Sequence, residues 1–307
     1  MPDIILHHYD ASPFSEKVRV CFGFKGLSWA GVEIPVIMPK PDLMPLTGGY
    51  RKTPVMQIGA DIYCDTQMIL RELEHRFPDP SLTGSHPGLS YGLGLWTDRP
   101  FFQATIPILF SEIADFVPED FKKDRAALFP DRPFDTDAMK RAAPLMREQW
   151  RAQIDWIESQ LSDGREWLMG DKPSLADASA YMDVWFLRNG HRPSADALMA
   201  SMPKATAWAD RIAAIGHGST TRMAPEDALN IAKEATSTEQ AKTDPDEPNG
   251  LKTGDKVTIM ADDYGKDPIN GTLVSSSAQH VAIKRQDPRV GEVVVHFPRA
   301  GFLVVPN

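Results

Sequence analysis

The hydrophobic period of this chain changes along its length, and few architectures accommodate all of the textures. Residues 3 to 80 mix short apolar runs with helical spacing, 85 to 235 carry long helical patterns, and 251 to 307 alternate with period two. Ile4, Ile5 and Leu6 form the short run of a buried strand. A helix is expected at once after it. Ser12 is a favoured N-cap, Pro13 suits the first helical position, and Phe14, Val18, Cys21 and Phe22 share a face. Glu16, Lys17 and Arg19 then mostly face away. Glu33 to Ile37 reads as a second strand, followed by an irregular proline-rich crossing. Thr53 to Ile58 and Ile62 to Cys64 read as two strands around the turn Gly59-Ala60-Asp61, and a helix follows from about Thr66 and stops before Pro78. The order β, α, β, loop, β, β, α predicts one layered α/β domain over 1–80.

Proline-interrupted helices are expected at about 87–117, 136–163, 175–189, 203–215 and 225–235, an all-helical domain over 85–235. Ser174-Leu175-Ala176-Asp177 is a capping-box variant that starts one of them. Residues 236–250 offer almost nothing apolar to bury and read as a linker. Beyond Leu251, short strands separated by turn residues predict a small all-β barrel of the SH3-like kind over 251–307.

A length of 307 residues exceeds what one core usually serves, consistent with this division. The net charge of −9 repels phosphate backbones and anionic lipid, and the terminal module, with seven basic and six acidic residues, lacks a basic stripe. Neither nucleic acid nor membrane is expected as a partner. With no basic leader ahead of an apolar stretch and no run of about 18 apolar residues, a cytoplasmic protein is expected. Cys21 and Cys64 are too few for a disulfide framework and read as reduced thiols. The histidines are scattered, and adjacent His7 and His8 point to opposite faces of a strand, so no metal site is expected.

The stretch with chemical content is Ser12-Pro13-Phe14-Ser15, at the junction of strand and helix. A thiol reacts as its thiolate, and its ordinary pKa is about 8.5. Lowering that by two is worth about 2.7 kcal/mol. A hydroxyl donating to the sulfur supplies about 1.5–3 kcal/mol and a helix N-terminus about 0.3–2. Ser12 could offer both. With no Cys at either end of the tetrapeptide, dithiol exchange is unavailable.

His8-Tyr9-Asp10-Ala11-Ser12-Pro13-Phe14-Ser15-Glu16-Lys17-Val18-Arg19 resembles the start of the cytosolic glutathione transferases, especially the tau and omega types. Arg51-Lys52-Thr53-Pro54-Val55-Met56 resembles their cis-proline segment. Asp65-Thr66 falls where they usually carry Glu-Ser, and Ser174 to Asp177 resembles a folding motif of their helical domain. The resemblance runs through residue 235. It implies a thioredoxin-like N-terminal domain, an all-helical second domain and a homodimer.

Carried over residue by residue, the resemblance implies that Ser12 activates the glutathione sulfur and that the Thr53 backbone, ahead of a cis Pro54, pairs with the cysteinyl part. Phe14 belongs to the same binding stretch. Asp65 and Thr66 would receive the γ-glutamyl amine and carboxylate, and Lys52 the glycyl carboxylate. Thr53 replaces a usual Val, and Asp65 must reach from a nearer backbone than Glu. Tyr9 is an alternative hydroxyl, though a packing role suits it as well. Asp98 lies in the helix that borders the acceptor pocket, among aromatics Trp96 to Phe102.

The expected reaction is attack of glutathione thiolate on a hydrophobic electrophile, with glutathione as co-substrate. A non-catalytic glutathione-binding scaffold whose C-terminal β-barrel mediates protein interaction is the second reading. A nucleic-acid adaptor is a third, which the acidic charge disfavours.

Overall fold

The structure, a computed structural model, describes residues 3–129 and 134–307. Met1, Pro2 and residues 130–133, part of the expected N-terminal and helical domains, lie outside the described residues. The first unit runs β1 (Ile5–His8), α1 (Pro13–Phe24), β2 (Ser28–Glu33), α2 (Met44–Thr47), β3 (Val55–Ile58), β4 (Asp61–Cys64) and α3 (Thr66–Arg76). Strand β1 pairs in parallel with β2 and antiparallel with β3, and β3 with β4, as in a thioredoxin-like sheet. The second strand lies earlier than the expected Glu33–Ile37. Trp29 to Val32 are its buried part, and Pro35 lacks the amide that would continue it.

The helical unit contains α4 (Pro87–Trp96), a π-helical stretch (Thr97–Phe101), α5 (Phe102–Glu112), α6 (Glu119–Leu128), α7 (Thr136–Gln160), α8 (Leu175–Gly190), α9 (Arg192–Met199) and α10 (Pro203–Ile215). Pro100 lies inside the π-helical stretch and accounts for the break in the expected 87–117 helix. The capping box at Ser174 and Asp177 starts α8, and Asp177 also accepts from the Leu168 amide and Trp208 Nε1. Neither α6 nor α9 was anticipated. Both are short and polar on much of their surface.

After α10 come β5 (Ser219–Arg222), α11 (Pro225–Glu234), β6 (Lys256–Ala261), β7 (Ile269–Ser276), β8 (His280–Asp287), β9 (Gly291–Pro298) and β10 (Phe302–Pro306). The last five form an antiparallel all-β region that does not stand apart. Strand β9 pairs in parallel with β4, giving one ten-stranded sheet in the order β10-β6-β7-β8-β9-β4-β3-β1-β2-β5. Strand β5 covers the opposite edge by pairing with β2. Two apolar cores flank the sheet. One joins α1 and α3 to the helical unit; the other joins Ile5, Val32 and Ile62 to α11 and to Val257, Ile259, Val295 and Phe297. No described helix is long and apolar enough to cross a membrane.

Glu16, Lys17 and Arg19 do not face solvent as the amphipathic reading expects. Helix α1 is packed between the sheet and α8, so its polar side is covered too. Each charge is paired: Lys17 Nζ stands 2.8 Å from Asp98, Arg19 Nη2 2.7 Å from Glu16, and His217 Nε2 3.0 Å from Glu16. His7 and His8 are buried on opposite partners, Gln57 and Arg19. Burial brings both imidazoles down to about 4. Cys21 and Cys64 are buried free thiols, with Cys21 pushed up to about 12 by burial.

The joint between β4 and β9 is built on a buried carboxylate. Asp61 is bonded by His296 Nε2 at 3.1 Å, Thr238 N at 2.9 Å and Thr238 Oγ1 at 3.0 Å, with Ser237 Oγ donating as well. His280 stands behind His296 at 3.0 Å, and the Tyr63 ring stacks on His296. The segment 236–250 therefore lies along the β region, further held by Lys242 N to Val274 O and by Arg299 to Glu247. Burial pushes the Asp61 carboxyl up, but hydrogen bonds from His296, Ser237 and Thr238 outweigh it and hold it at about 2. Being depressed below its ordinary value, this group stabilises the fold above about pH 4, and the contribution is lost as pH falls towards 2. Asp61→Ala should lower stability by about 2–4 kcal/mol at pH 7. Urea titrations should show that deficit shrinking between pH 4 and 2, and a deficit independent of pH would exclude the carboxylate as its source.

Candidate functional site

Three separated stretches converge below the helical unit. The turn Tyr9 to Ser12 ends β1 and starts α1, with Ser12 as N-cap: its Oγ accepts from Ser15 N at 3.1 Å. The Thr53-Pro54 bond is cis and precedes β3. Asp65 caps α3, its carboxylate accepting from Gln67 N at 2.9 Å. It holds φ at +75°, a backbone region few side chains adopt, which marks this turn as constrained by its surroundings. Burial pushes the Asp65 carboxyl up, with the Gln67 amide partly offsetting.

A cavity of about 60 Å3 lies between these stretches, lined by Phe14, Lys52, Thr53, Pro54, Asp65, Thr66 and Asp98 among the sequence-expected residues. Ser12 and Tyr9 are not in its lining. Ser12 is almost fully buried at the helix cap behind Phe14. Burial pushes the Tyr9 hydroxyl up, with Arg125 and a Ser12 hydrogen bond partly offsetting. Asp98 is held from behind by Lys17. Thr53 Oγ1 accepts from buried Lys40 at 3.0 Å, so its hydroxyl serves the scaffold. Burial and the nearby Arg125 and Arg51 charges bring the Lys40 ammonium down to about 8.

The sequence reading missed half of the wall. Tyr50, Gln67, Leu95 and Arg99 line the cavity, and so do Asp263, Tyr264, Gly301 and Phe302 from the C-terminal β region. Only Asp262-Asp263, an acidic pair in a nearly neutral module, offered a hint, and nothing in the sequence tells which cation it meets. Lys52 is the case in point. Its ammonium sits 2.8 Å from Asp263 and 3.9 Å from the centre of the Tyr264 ring. Beyond Phe14 an aromatic series continues through Phe102 at 4.9 Å to Phe186 at 6.0 Å, with Phe110 at 6.4 Å from Phe186. A roomier cleft of about 590 Å3, lined by His8, Glu16, Arg19, Trp185 and His217, lies elsewhere, and its Glu16 carboxylate is held by Arg19 and by His217 Nε2.

Chemically, the first cavity offers a helix N-terminus, backbone beside a cis proline, a buried carboxylate and a cation. The glutathione S-transferase N-terminal domain model matches residues 6–81, and the C-terminal domain model of the same family matches 123–211. A GST-like protein from Pseudomonas syringae, known from a crystal structure, is 38% identical, with 100% of both chains covered and a TM-score of 0.81. A glutathione S-transferase from Rhodospirillum rubrum, 22% identical over 68% of this chain and 87% of that one, shares the fold at a TM-score of 0.54. FtsZ-localized protein A of Caulobacter vibrioides is 27% identical over 187 residues, 58% of this chain and 75% of that protein. The first of these structures is matched through β6–β10 as well. With that full-length match and both domain models, this chain belongs to the glutathione S-transferase family, in a GST-like form that carries an added C-terminal all-β region.

Proposed function

We propose that the protein binds glutathione between α1, the Thr53-Pro54 turn and α3, and joins its sulfur to a hydrophobic electrophile. The observation that carries this reading is the convergence of Phe14, Thr53, Pro54, Asp65 and Thr66 on one cavity from three separate stretches. Asp65 receives the γ-glutamyl ammonium, and Thr66 with the first amides of α3 receives the adjoining carboxylate. The Thr53 backbone pairs with the cysteinyl unit, and Lys52 faces the glycyl carboxylate. Ser12 caps α1 just outside the cavity lining, and its hydroxyl meets the sulfur only when the bound ligand opens the Phe14 side of the cavity.

In the reaction the thiol proton passes to solvent, the thiolate forms a C–S bond to the electrophilic carbon, and the leaving group departs with its electron pair. The protein contributes ionisation and positioning. The aromatic series Phe14, Phe102, Phe186 supplies an apolar wall for the electrophile. Reduced glutathione implies a cytoplasmic setting, where thiols are kept reduced. A second reading, a glutathione-binding scaffold that works through protein contacts, is favoured by the C-terminal residues that narrow the cavity and by the name of the FtsZ-localized relative.

Ser12→Ala should remove the thiolate absorbance of bound glutathione and lower kcat/KM for an aryl halide by about 10- to 100-fold, the equivalent of one hydrogen bond to a charged group. Binding without turnover in wild type would favour the scaffold, and no binding at all would exclude both readings. For the homodimer, we infer a face on α4 and α7, where Leu89, Leu95 and Trp156 are exposed and the Trp156 ring lies 5.5 Å from Trp96. Trp156→Glu should shift sedimentation from dimer to monomer. A wild-type monomer at all concentrations would refute the assembly.

A further inference from the structure

The turn between β6 and β7 reaches across the sheet onto the proposed glutathione site. Three polar contacts fasten it. Asp263 accepts from Lys52 Nζ at 2.8 Å, Asp262 from Arg99 Nη2 at 2.7 Å, and the Gly265 amide donates to Leu128 O at 2.9 Å. Between them the Tyr264 ring lies under the Lys52 ammonium on one side and stacks on Phe129 on the other, the ring centres 4.5 Å apart. Gly265 holds φ at +58°, and a Cβ there would meet Leu128 Cδ2 at 3.0 Å and Lys52 Cε at 3.2 Å. The turn is therefore seated closely on both the first unit and α6.

What remains open is small. A cavity of about 60 Å3 holds a few waters, whereas pockets that bury small organic ligands run to about 300–1,000 Å3. A tripeptide bound here lies across the open mouth of the cavity or displaces part of its lining. Of that lining, Pro54 directly precedes β3, Asp65 caps α3, and Asp98 is tied to buried Lys17. The β6–β7 turn is held at the cavity rim by two ion pairs whose carboxylates are partly exposed, with Tyr264 and Gly265 packed behind them.

We propose that Asp263 and Tyr264 are specificity-determining residues of this site: the turn occupies its glycyl end, with the Asp263 carboxylate on Lys52 in place of a ligand carboxylate. This rests on the glutathione reading above. Glutathione must displace Asp263 to reach Lys52, while γ-glutamylcysteine, whose terminal carboxylate sits on the cysteinyl unit one residue short of that cation, does not compete with Asp263 for it. The turn thus grades thiol ligands by what they carry beyond cysteine. Where only a fraction of molecules has the turn displaced, the apparent affinity for the tripeptide falls by that fraction.

Asp263→Asn is the sharpest variant, because the amide oxygen still accepts from the Tyr264 amide while the charge on Lys52 is lost. Calorimetric titration of the full chain with glutathione and with γ-glutamylcysteine is the test, and Tyr264→Ser, checked for unchanged circular dichroism, is the second variant. The expected result is about tenfold tighter glutathione binding in Asp263→Asn with γ-glutamylcysteine unchanged within twofold. Saturating glutathione should also speed hydrogen exchange of the Gly265 amide in wild type. Glutathione binding equal in wild type and both variants would overturn the occupancy while leaving the glutathione site intact. No binding of either thiol to any form would overturn the glutathione reading and this proposal with it.

Discussion

Strand β4 is an edge of the four-stranded sheet that the first 80 residues can build alone, and an edge exposes a row of unpaired amides and carbonyls. Here β9 occupies it, pairing Asp61, Ile62 and Tyr63 with Val294, Val295 and His296, and Val294 N donates to Ala60 O at 3.0 Å. Burying this edge also buries Asp61, whose carboxylate would be costly without donors. His296 comes from β9 and Ser237 and Thr238 from the segment that follows α11, so the donors arrive with the strand that creates the need. The placement of β6–β10, and hence the reach of the β6–β7 turn onto Lys52, depends on this joint.

A second constraint fixes the helical unit on the other face. Lys17, Glu16 and Arg19 lie on a helix that is covered all round; Lys17 meets Asp98 and Glu16 meets His217 across the interface, while Arg19 pairs with Glu16 on the same helix. Such pairs contribute little net stability once desolvation is counted, but removing one partner strands a buried charge. Their effect is on register. With Asp98 tied to Lys17, the start of the π-helical stretch is set against α1, and the carboxylate beside the cavity is fixed from behind. Asp183, buried nearby, has its carboxyl pushed well above the usual carboxylate range by burial and by the Asp98 charge.

The sequence made the local elements legible where one cause determines them. Ser12-Pro13 starts α1, Ser174 to Asp177 starts α8, and the period-two stretches become strands. It misled where tertiary coverage overrides periodicity. The polar face of α1 reads as solvated because helical spacing records only one side of a helix, and α8 covers the other. The second strand moved for the opposite reason: apolar Ile34, Val36 and Ile37 suggest pairing, but Pro35 breaks the ladder. The site was half legible. Residues that converge within the first unit were placed together by the resemblance to the glutathione transferases, whereas Asp263 and Tyr264 are close to Lys52 only because β9 lies beside β4, a relation with no local signal.

Charge balance gives the joint between site and C-terminal region a chemical consequence. Around the cavity Lys17 is matched by Asp98, Lys52 by Asp263 and Arg99 by Asp262, so the anionic sites of a ligand find these cations already engaged. Glutathione brings two carboxylates and one ammonium, and Asp65 offers a partner for the ammonium. One carboxylate can use the amides at the start of α3, which carry partial charge without a counter-ion. On that reading the other falls to a side-chain cation, and Asp98 is the least available to give one up, its partner being almost wholly buried. Release of Asp263 is the less costly exchange, because that carboxylate regains water as it leaves Lys52. On the glutathione reading, the same fold that seals the β4 edge makes ligand binding an exchange of carboxylates on Lys52.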